Sequence, residues 1–303
     1  MEENTMYEKM KKELVKELRN QLADTFRIAT FKAYKDGKEV DAFYITEENS
    51  ATSPTFYFKN YLNDYNAGIA VNDLVKEIIG TYYFAIQQSP IEVNDFKDFE
   101  KQKDKITYKL VNTKEYSDQL NSIPHVDFFD LSIIFYCILD INNDSCMSFT
   151  ITNNIMELWG INKDTLYEIA QRNLPELLPL EVNSIIQVIT SETQDFNSTD
   201  EIIKNLPNEQ MYVVTNKYRK NGFVNIFCPD LLKTFSNRFG SFYILPSSTD
   251  ESLFVPISTN VELIDLKRIV RDANESVVEP DLFLSNSVYY YDNEKKKIDA
   301  YLV

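Results

Sequence analysis

Apolar side chains return at every fourth position near the start of the chain, at Met6, Met10, Leu14, Leu18 and Leu22. That spacing is one face of an α-helix, and the Lys and Glu residues between them form its wet face. The period then changes. Residues 26–34 and 40–46 read as strands, and the Asp36-Gly37 pair between them marks a tight hairpin. Residues 53–58 read as a third strand, after which helical spacing resumes over 61–65 and 71–88. Residues 95–103 and 115–120 read as helical and 106–112 as extended. The run 128–139 is almost continuously apolar and rich in β-branched and aromatic side chains, which predicts a central strand covered on both faces. Residues 146–151 are expected to pair with it across an Asn142-Asn-Asp144 turn.

Two helices are predicted next. The first is capped at Thr152 or Asn153 and ends at Gly160; the second starts at Asn162 or Asp164 and closes before Pro175. Short strands are read at 211–215, 223–227, 241–245 and 253–256, with a helix over 229–239 between the second and third. A helix over 261–273 and a closing hairpin of 288–291 with 298–303 complete the pattern. Strands and helices alternate without regular βαβ repetition. The predicted class is α+β, with mostly antiparallel sheets, packed amphipathic helices and two subdomains. The polar, acidic stretch 192–208 is the expected loop or boundary between a domain over 1–191 and a domain over 209–303. A length of 303 residues accommodates two domains, at roughly 100–200 residues each.

Charge narrows the partners. With 31 basic and 47 acidic residues the net charge is -16, so phosphate backbones are repelled and direct nucleic-acid binding is not expected. A protein partner is expected instead. The three cysteines, Cys137, Cys146 and Cys228, are odd in number and lie far apart, so neither a disulfide framework nor a zinc spacing is present, and a reducing cytoplasm fits. The amphipathic start lacks the apolar core of a signal peptide. The run 128–139 is interrupted by Asp130 and is too short to cross a bilayer, which takes about 20 residues. No membrane association is expected.

Candidate chemistry is sparse. The chain has neither a GxGxxG nor a GxxxxGK[ST] phosphate cradle, and no GxSxG elbow. His125 is its single histidine, so any Ser-His or Cys-His mechanism has to use it. The densest polar cluster between two apolar runs is Ser247-Ser-Thr-Asp-Glu251. Ser248, with Asp250, Glu251 or the distant His125 as base, is the catalytic candidate there; the plainer reading is a polar turn braced by its own side chains. Asn216, Asn221, Ser247, Ser248, Asp250 and Glu251 form the candidate binding set. Lys217, Arg219 and Lys220 make the most basic short patch, at a turn ending in Asn221-Gly222. His125 follows Pro124 at a strand entrance, where a hydrogen bond to the backbone is the plainer reading. Asp127, Asp130, Asp140 and Asp144 invite a metal, but strand alternation puts Asp127 and Asp130 on opposite faces, so neither metal nor cofactor is expected. Trp159 reads as core packing.

Several collinear segments resemble an uncharacterised bacterial family, the domain-of-unknown-function family numbered 5688. They are Ser53-Pro-Thr-Phe-Tyr-Phe58, Ile123-Pro-His-Val-Asp-Phe-Phe-Asp-Leu131 with Phe135-Tyr-Cys137, Leu158-Trp-Gly160, Ala170-Gln-Arg-Asn173 and Leu178-Pro179. Met211-Tyr-Val-Val-Thr-Asn216 with Asn221-Gly222, Tyr243-Ile-Leu-Pro-Ser-Ser248 with Glu251, and Val288-Tyr-Tyr-Tyr-Asp292 continue the series. The resemblance implies a Gram-positive gut bacterium and the company of mobile genetic elements, and it brings no activity with it. The family pattern often has Ile-His between the two serines and the glutamate; Thr249-Asp250 stands there in this chain, which weakens a histidine-based site at the turn. Two functions are therefore expected to compete. One is a non-catalytic interaction protein, an accessory factor of a mobile element. The other is a small-molecule-binding protein or hydrolase with its site at the 247–251 turn.

Overall fold

The computed structural model describes residues 2–35, 38–47, 54–88, 97–143, 146–190, 198–279 and 282–302. The chain divides into two compact units, Met1–Lys101 and Gln102–Val303.

In the first unit the helix Glu2–Gln21 follows its four-residue spacing. Met10, Leu14 and Leu18 are fully buried and share a core with Leu74, Val75, Ile78 and Tyr82 of the helix Val71–Gln88. That core closes on an antiparallel meander of β1 (Phe26–Lys35), β2 (Lys38–Glu47) and β3 (Thr55–Tyr57). Phe43 and Phe56 stack across β2 and β3 with ring centroids 5.2 Å apart. β1 and β2 pair antiparallel out to Lys35 and Lys38; the expected Asp36-Gly37 hairpin turn lies outside the described residues, as do Ser53 and the start of the expected 95–103 helix.

The second unit holds two antiparallel sheets. The first is built around β6 (Leu131–Ile141), which pairs with β4 (Ile106–Asn112), β5 (His125–Phe128) and β7 (Cys146–Thr150). Leu131 to Ile138 are all buried, so the apolar run is covered on both faces as expected. It is not one strand, however. Phe128 pairs with Leu131, and the two residues between them turn the chain back, with Phe129 in the left-handed region at φ 57°. Asp130 breaks the run because a carboxylate cannot continue a strand buried on both faces. The helix Lys163–Leu177 lays Leu166, Ala170 and Leu174 against this sheet. It runs through Pro175 rather than closing before it: at the last turn a missing N–H removes one intrahelical bond, and the helix ends two residues later.

The second sheet has the order β13-β12-β10-β11-β9-β8. Its strands are β8 (Leu180–Ser184), β9 (Tyr212–Asn216), β10 (Phe242–Pro246), β11 (Ser252–Pro256), β12 (Val288–Asp292) and β13 (Lys297–Tyr301). The helix Leu231–Phe239 covers one face, where Phe235 meets Tyr212, Phe242 and Phe254. The helix Leu263–Ser276 covers the other, with Leu266 and Val270 against Leu245, Val255 and Val288. β8 and β9 pair across the 192–208 stretch, so that segment lies inside the second unit; its described part carries the helix Thr199–Asn205. Every strand pairing among the described residues is antiparallel, and the class is α+β.

One expected strand is absent. Gly222–Phe227 forms 3-10 turns instead of a strand. Asn225 explains why: it is fully buried, and its side-chain amide donates to the Leu178 carbonyl at 3.2 Å and the Thr215 carbonyl at 2.8 Å. A wound backbone brings that amide inward, where an extended one would send alternate side chains to opposite faces.

Candidate functional site

The two polar turns singled out in the sequence converge. One follows β9 and contains Lys217 to Gly222; the other joins β10 to β11 and contains Ser247 to Glu251. The Asn221 amide donates to Asp250 Oδ1 at 2.7 Å, and the Thr215 hydroxyl to the Asp250 carbonyl at 2.7 Å. The Phe223 amide donates to the Thr249 carbonyl at 3.1 Å. Gly222 sits at the crossing. A Cβ there would lie 2.2 Å from the Asp250 carbonyl oxygen and 2.3 Å from Thr215 Oγ1, so only glycine lets the chains pass. Its φ is not positive; the left-handed residues in this turn are Arg219 at 52° and Asn221 at 51°.

Each candidate side chain has a bracing role. Asn216 is fully buried, donates from Nδ2 to the Lys220 carbonyl at 2.8 Å and accepts from the Tyr218 amide at 3.0 Å, closing the basic turn on itself. The Ser247 hydroxyl donates to Glu251 Oε1 at 2.9 Å across the loop mouth. Ser248 is buried, and its hydroxyl oxygen accepts the Asp250 amide at 3.1 Å. Asp250 is half-buried. Burial raises its carboxyl pKa, and the Asn221 amide, Lys220 and Lys109 oppose that shift without cancelling it. Asn221 Nδ2 makes a long 3.5 Å contact to the Tyr136 hydroxyl of β6, which ties both turns to the other sheet.

His125 is placed elsewhere. It lies on β5, paired with Ile134, and its Nδ1 is 2.9 Å from the Ile123 carbonyl, a tether to its own strand entrance. The aspartates also separate. Asp127 is exposed, while Asp130 turns toward the segment ahead of β12; Asp144 lies outside the described residues. Among the described residues no group of three or more His, Cys, Asp or Glu side chains is placed to hold a metal ion. Trp159 is buried against Phe149, with centroids 6.5 Å apart at 65°.

Two features are not predicted from the sequence patterns. The first is a cavity of about 700 Å³ beside β8, the edge strand of the larger sheet. Leu180, Glu181, Val182 and Asn183 form one side, Ile202 and Leu206 an apolar wall, and Lys217, Arg219 and Lys220 a basic rim. Its lining includes the basic turn and none of residues 246–251. The second is the Asp130 carboxylate. It accepts the Ser285 hydroxyl at 2.5 Å, the Ser287 hydroxyl at 2.9 Å and the Tyr289 hydroxyl at 2.7 Å. The signal was present as three hydroxyls at alternate positions, Ser285, Ser287 and Tyr289, which an extended chain puts on one side. What it lacked was the acceptor, 155 residues away from Ser285.

Among the described residues no helix is long and apolar enough to cross a membrane. No curated protein and no solved structure matches the chain. A family model does, over residues 7–293, and the chain belongs to that family, a family of unknown function (DUF5688).

Proposed function

We propose that this protein is a non-catalytic interaction protein that holds an extended segment of a protein partner in the cavity beside β8, acting in the cytosol as an accessory factor of a mobile genetic element. One observation carries the reading: the four residues 180–183 of an edge strand line that cavity. An edge strand presents backbone N–H and C=O groups away from its neighbour, and an added extended peptide satisfies them. The size of about 700 Å³ is suited to a bound segment, since ligand cavities run about 300–1,000 Å³. The apolar wall of Ile202 and Leu206 supplies contact area, and the basic rim favours an acidic flank.

The same geometry weighs against the competing hydrolase at the 247–251 turn. Ser248 accepts a backbone amide, Ser247 and Glu251 bind each other, and His125 is tethered on β5. The unpaired thiols Cys137, Cys146 and Cys228 suit a reducing compartment. Affinity purification from the native host at physiological salt tests the proposal. The wild type should recover a stoichiometric partner, and a Lys217→Glu/Arg219→Glu variant should lose it, because both residues are exposed on the rim. Recovery of no partner from several hosts, or equal recovery by the variant, would overturn it.

A further inference from the structure

A second concave surface lies wholly within the first unit and is independent of the cavity beside β8. It is a groove of about 640 Å³ along the helix Glu2–Gln21. Glu8, Lys11, Lys12, Val15, Lys16 and Arg19 line it from the helix. These positions recur at three- and four-residue steps, so they form one stripe beside the Met10, Leu14 and Leu18 stripe that faces the core. Thr30, Phe31 and Lys32 of β1 line it opposite, with Asp41, Ala42 and Phe58.

The charges in this groove do not balance. Lys11 Nζ lies 2.9 Å from both Glu8 and Asp41, and Lys32 Nζ lies 3.0 Å from Asp41. Both acidic groups of the lining are therefore engaged by two of its five cations. Lys12, Lys16 and Arg19 are exposed, and among the described residues none of them forms a salt bridge. Three cations at i, i+4 and i+7, without a salt bridge among the described residues, thus stand along one wall, in a chain whose net charge is -16. Phe31, 39% exposed, adds an aromatic contact surface on the other wall.

We infer that this groove is a docking site for a short acidic segment of a partner protein. Charge complementarity selects the ligand: carboxylates placed along the wall meet Lys12, Lys16 and Arg19 without breaking a salt bridge among the described residues. Length limits it. From Glu8 to Arg19 the helix rises about 16 Å at about 1.5 Å per residue, which an extended chain covers with about five residues at about 3.3 Å each. A nucleic-acid strand fits less well. Its phosphates continue beyond the groove, where the acidic remainder of the protein repels them, whereas an acidic peptide can end its charges where the cations end.

Fluorescence anisotropy on the full-length protein decides the matter. The probes are a labelled Ser-Glu repeat decapeptide, its Ser-Gln counterpart and a labelled ten-nucleotide oligothymidylate. The Ser-Glu peptide should bind, more weakly as salt rises, and a Lys12→Glu/Lys16→Glu/Arg19→Glu variant should bind it about tenfold or more weakly, because three attractive contacts become repulsive. A Lys163→Glu/Lys233→Glu variant, changed at two exposed lysines that line neither concave surface, should bind it as the wild type does. A milder Lys12→Gln/Lys16→Gln/Arg19→Gln variant with an unchanged circular-dichroism spectrum should show a smaller loss, separating charge from misfolding. Equal binding by the wild type and both triple variants overturns the inference. So does equal binding of the Ser-Gln peptide, or tighter binding of the oligonucleotide through these residues. Wild-type self-association in sedimentation that the triple variants abolish would assign the groove to a second copy of the chain and overturn it as well.

Discussion

The backbone amide of Asn221 donates to Asp250 Oδ1 at 2.7 Å, joining two turns that are 29 residues apart in sequence. The bond favours the ionised carboxylate, as do Lys220 and Lys109, yet burial outweighs them and the Asp250 pKa lies above its ordinary value. The sign of the consequence follows from linkage. A carboxyl with a raised folded pKa stabilises the fold fully below its unfolded pKa of about 3.9; that contribution is lost as pH rises through the folded value. Asp250→Asn keeps an acceptor for the Asn221 amide and does not titrate. The wild type should therefore lose stability relative to Asp250→Asn from about pH 4 upward, levelling off once Asp250 is fully ionised. Urea unfolding followed by Trp159 fluorescence reads this directly, because the chain's single tryptophan lies buried in the second unit. A pH-independent difference between the two proteins would show that Asp250 is not shifted.

Gly222 makes that junction possible. The Asp250 backbone carbonyl oxygen stands 2.2 Å from where a Cβ would project, and a backbone atom cannot swing aside as a long side chain can. Gly222→Ala should destabilise the second unit by about 3 kcal/mol, at the upper end of overpacking effects. The Trp159 unfolding midpoint should fall accordingly. Gly160→Ala is a control with a different cause: no neighbour lies within 4 Å of its Cβ position, and only its φ of 67° opposes the change. That substitution should cost about 1 kcal/mol. Equal losses in the two variants would remove the steric argument.

The difference between these two glycines shows where sequence patterns stop. Asn221-Gly222 reads as a hairpin signal, and Gly222 is instead demanded by a carbonyl that local sequence does not reveal. Helix spacing was legible because Met10, Leu14 and Leu18 need only one another to define a face. β8 was not legible. Leu180-Glu-Val-Asn-Ser184 is short and mixed in character, and its extended form follows from pairing with Tyr212–Asn216 across an intervening stretch. The cavity beside it was hidden for the same reason. The polar 247–251 turn was visible in outline, but whether its side chains face a ligand or one another is a matter of tertiary contact. Asp130 was visible as an interruption of an apolar run, while its role depends on hydroxyls more than 150 residues later.

Two of the three thiols, Cys137 and Cys228, should be inert in the folded protein. Burial is the main cause in each case: it pushes Cys137 up to about 12, Cys228 up to about 11, and Cys146 in the same direction. Cys137 is additionally engaged, its Sγ donating to Gln102 Oε1 at 3.4 Å. Only a thiolate attacks an aromatic disulfide reagent, so at pH 8 Cys137 and Cys228 should stay unmodified until urea exposes them. Half-buried Cys146 should account for any native reaction, which Cys146→Ser should remove. Rapid native modification of two or more thiols would contradict this arrangement.

Asp130 and Tyr289 fasten the β5–β6 turn to β12, the phenol donating to Oδ1 at 2.7 Å while Ser285 and Ser287 share Oδ2. Burial, and then the Asp130 charge, push the Tyr289 pKa far above its usual range, which favours the protonated phenol that donates to the carboxylate. Removing the carboxylate strands three hydroxyls together. Asp130→Ala should therefore cost about 3 kcal/mol, against about 1.5 kcal/mol for Tyr289→Phe, which removes one charge-assisted bond. The two losses should not add. In Asp130→Ala the phenol has already lost its acceptor, so the further change Tyr289→Phe removes only a stranded polar group and should be nearly neutral or slightly stabilising, leaving a coupling of about 1 kcal/mol or more in a double-mutant cycle. Additive losses, measured by Trp159 fluorescence in urea, would mean that the two residues stabilise the fold independently and that the contact is incidental.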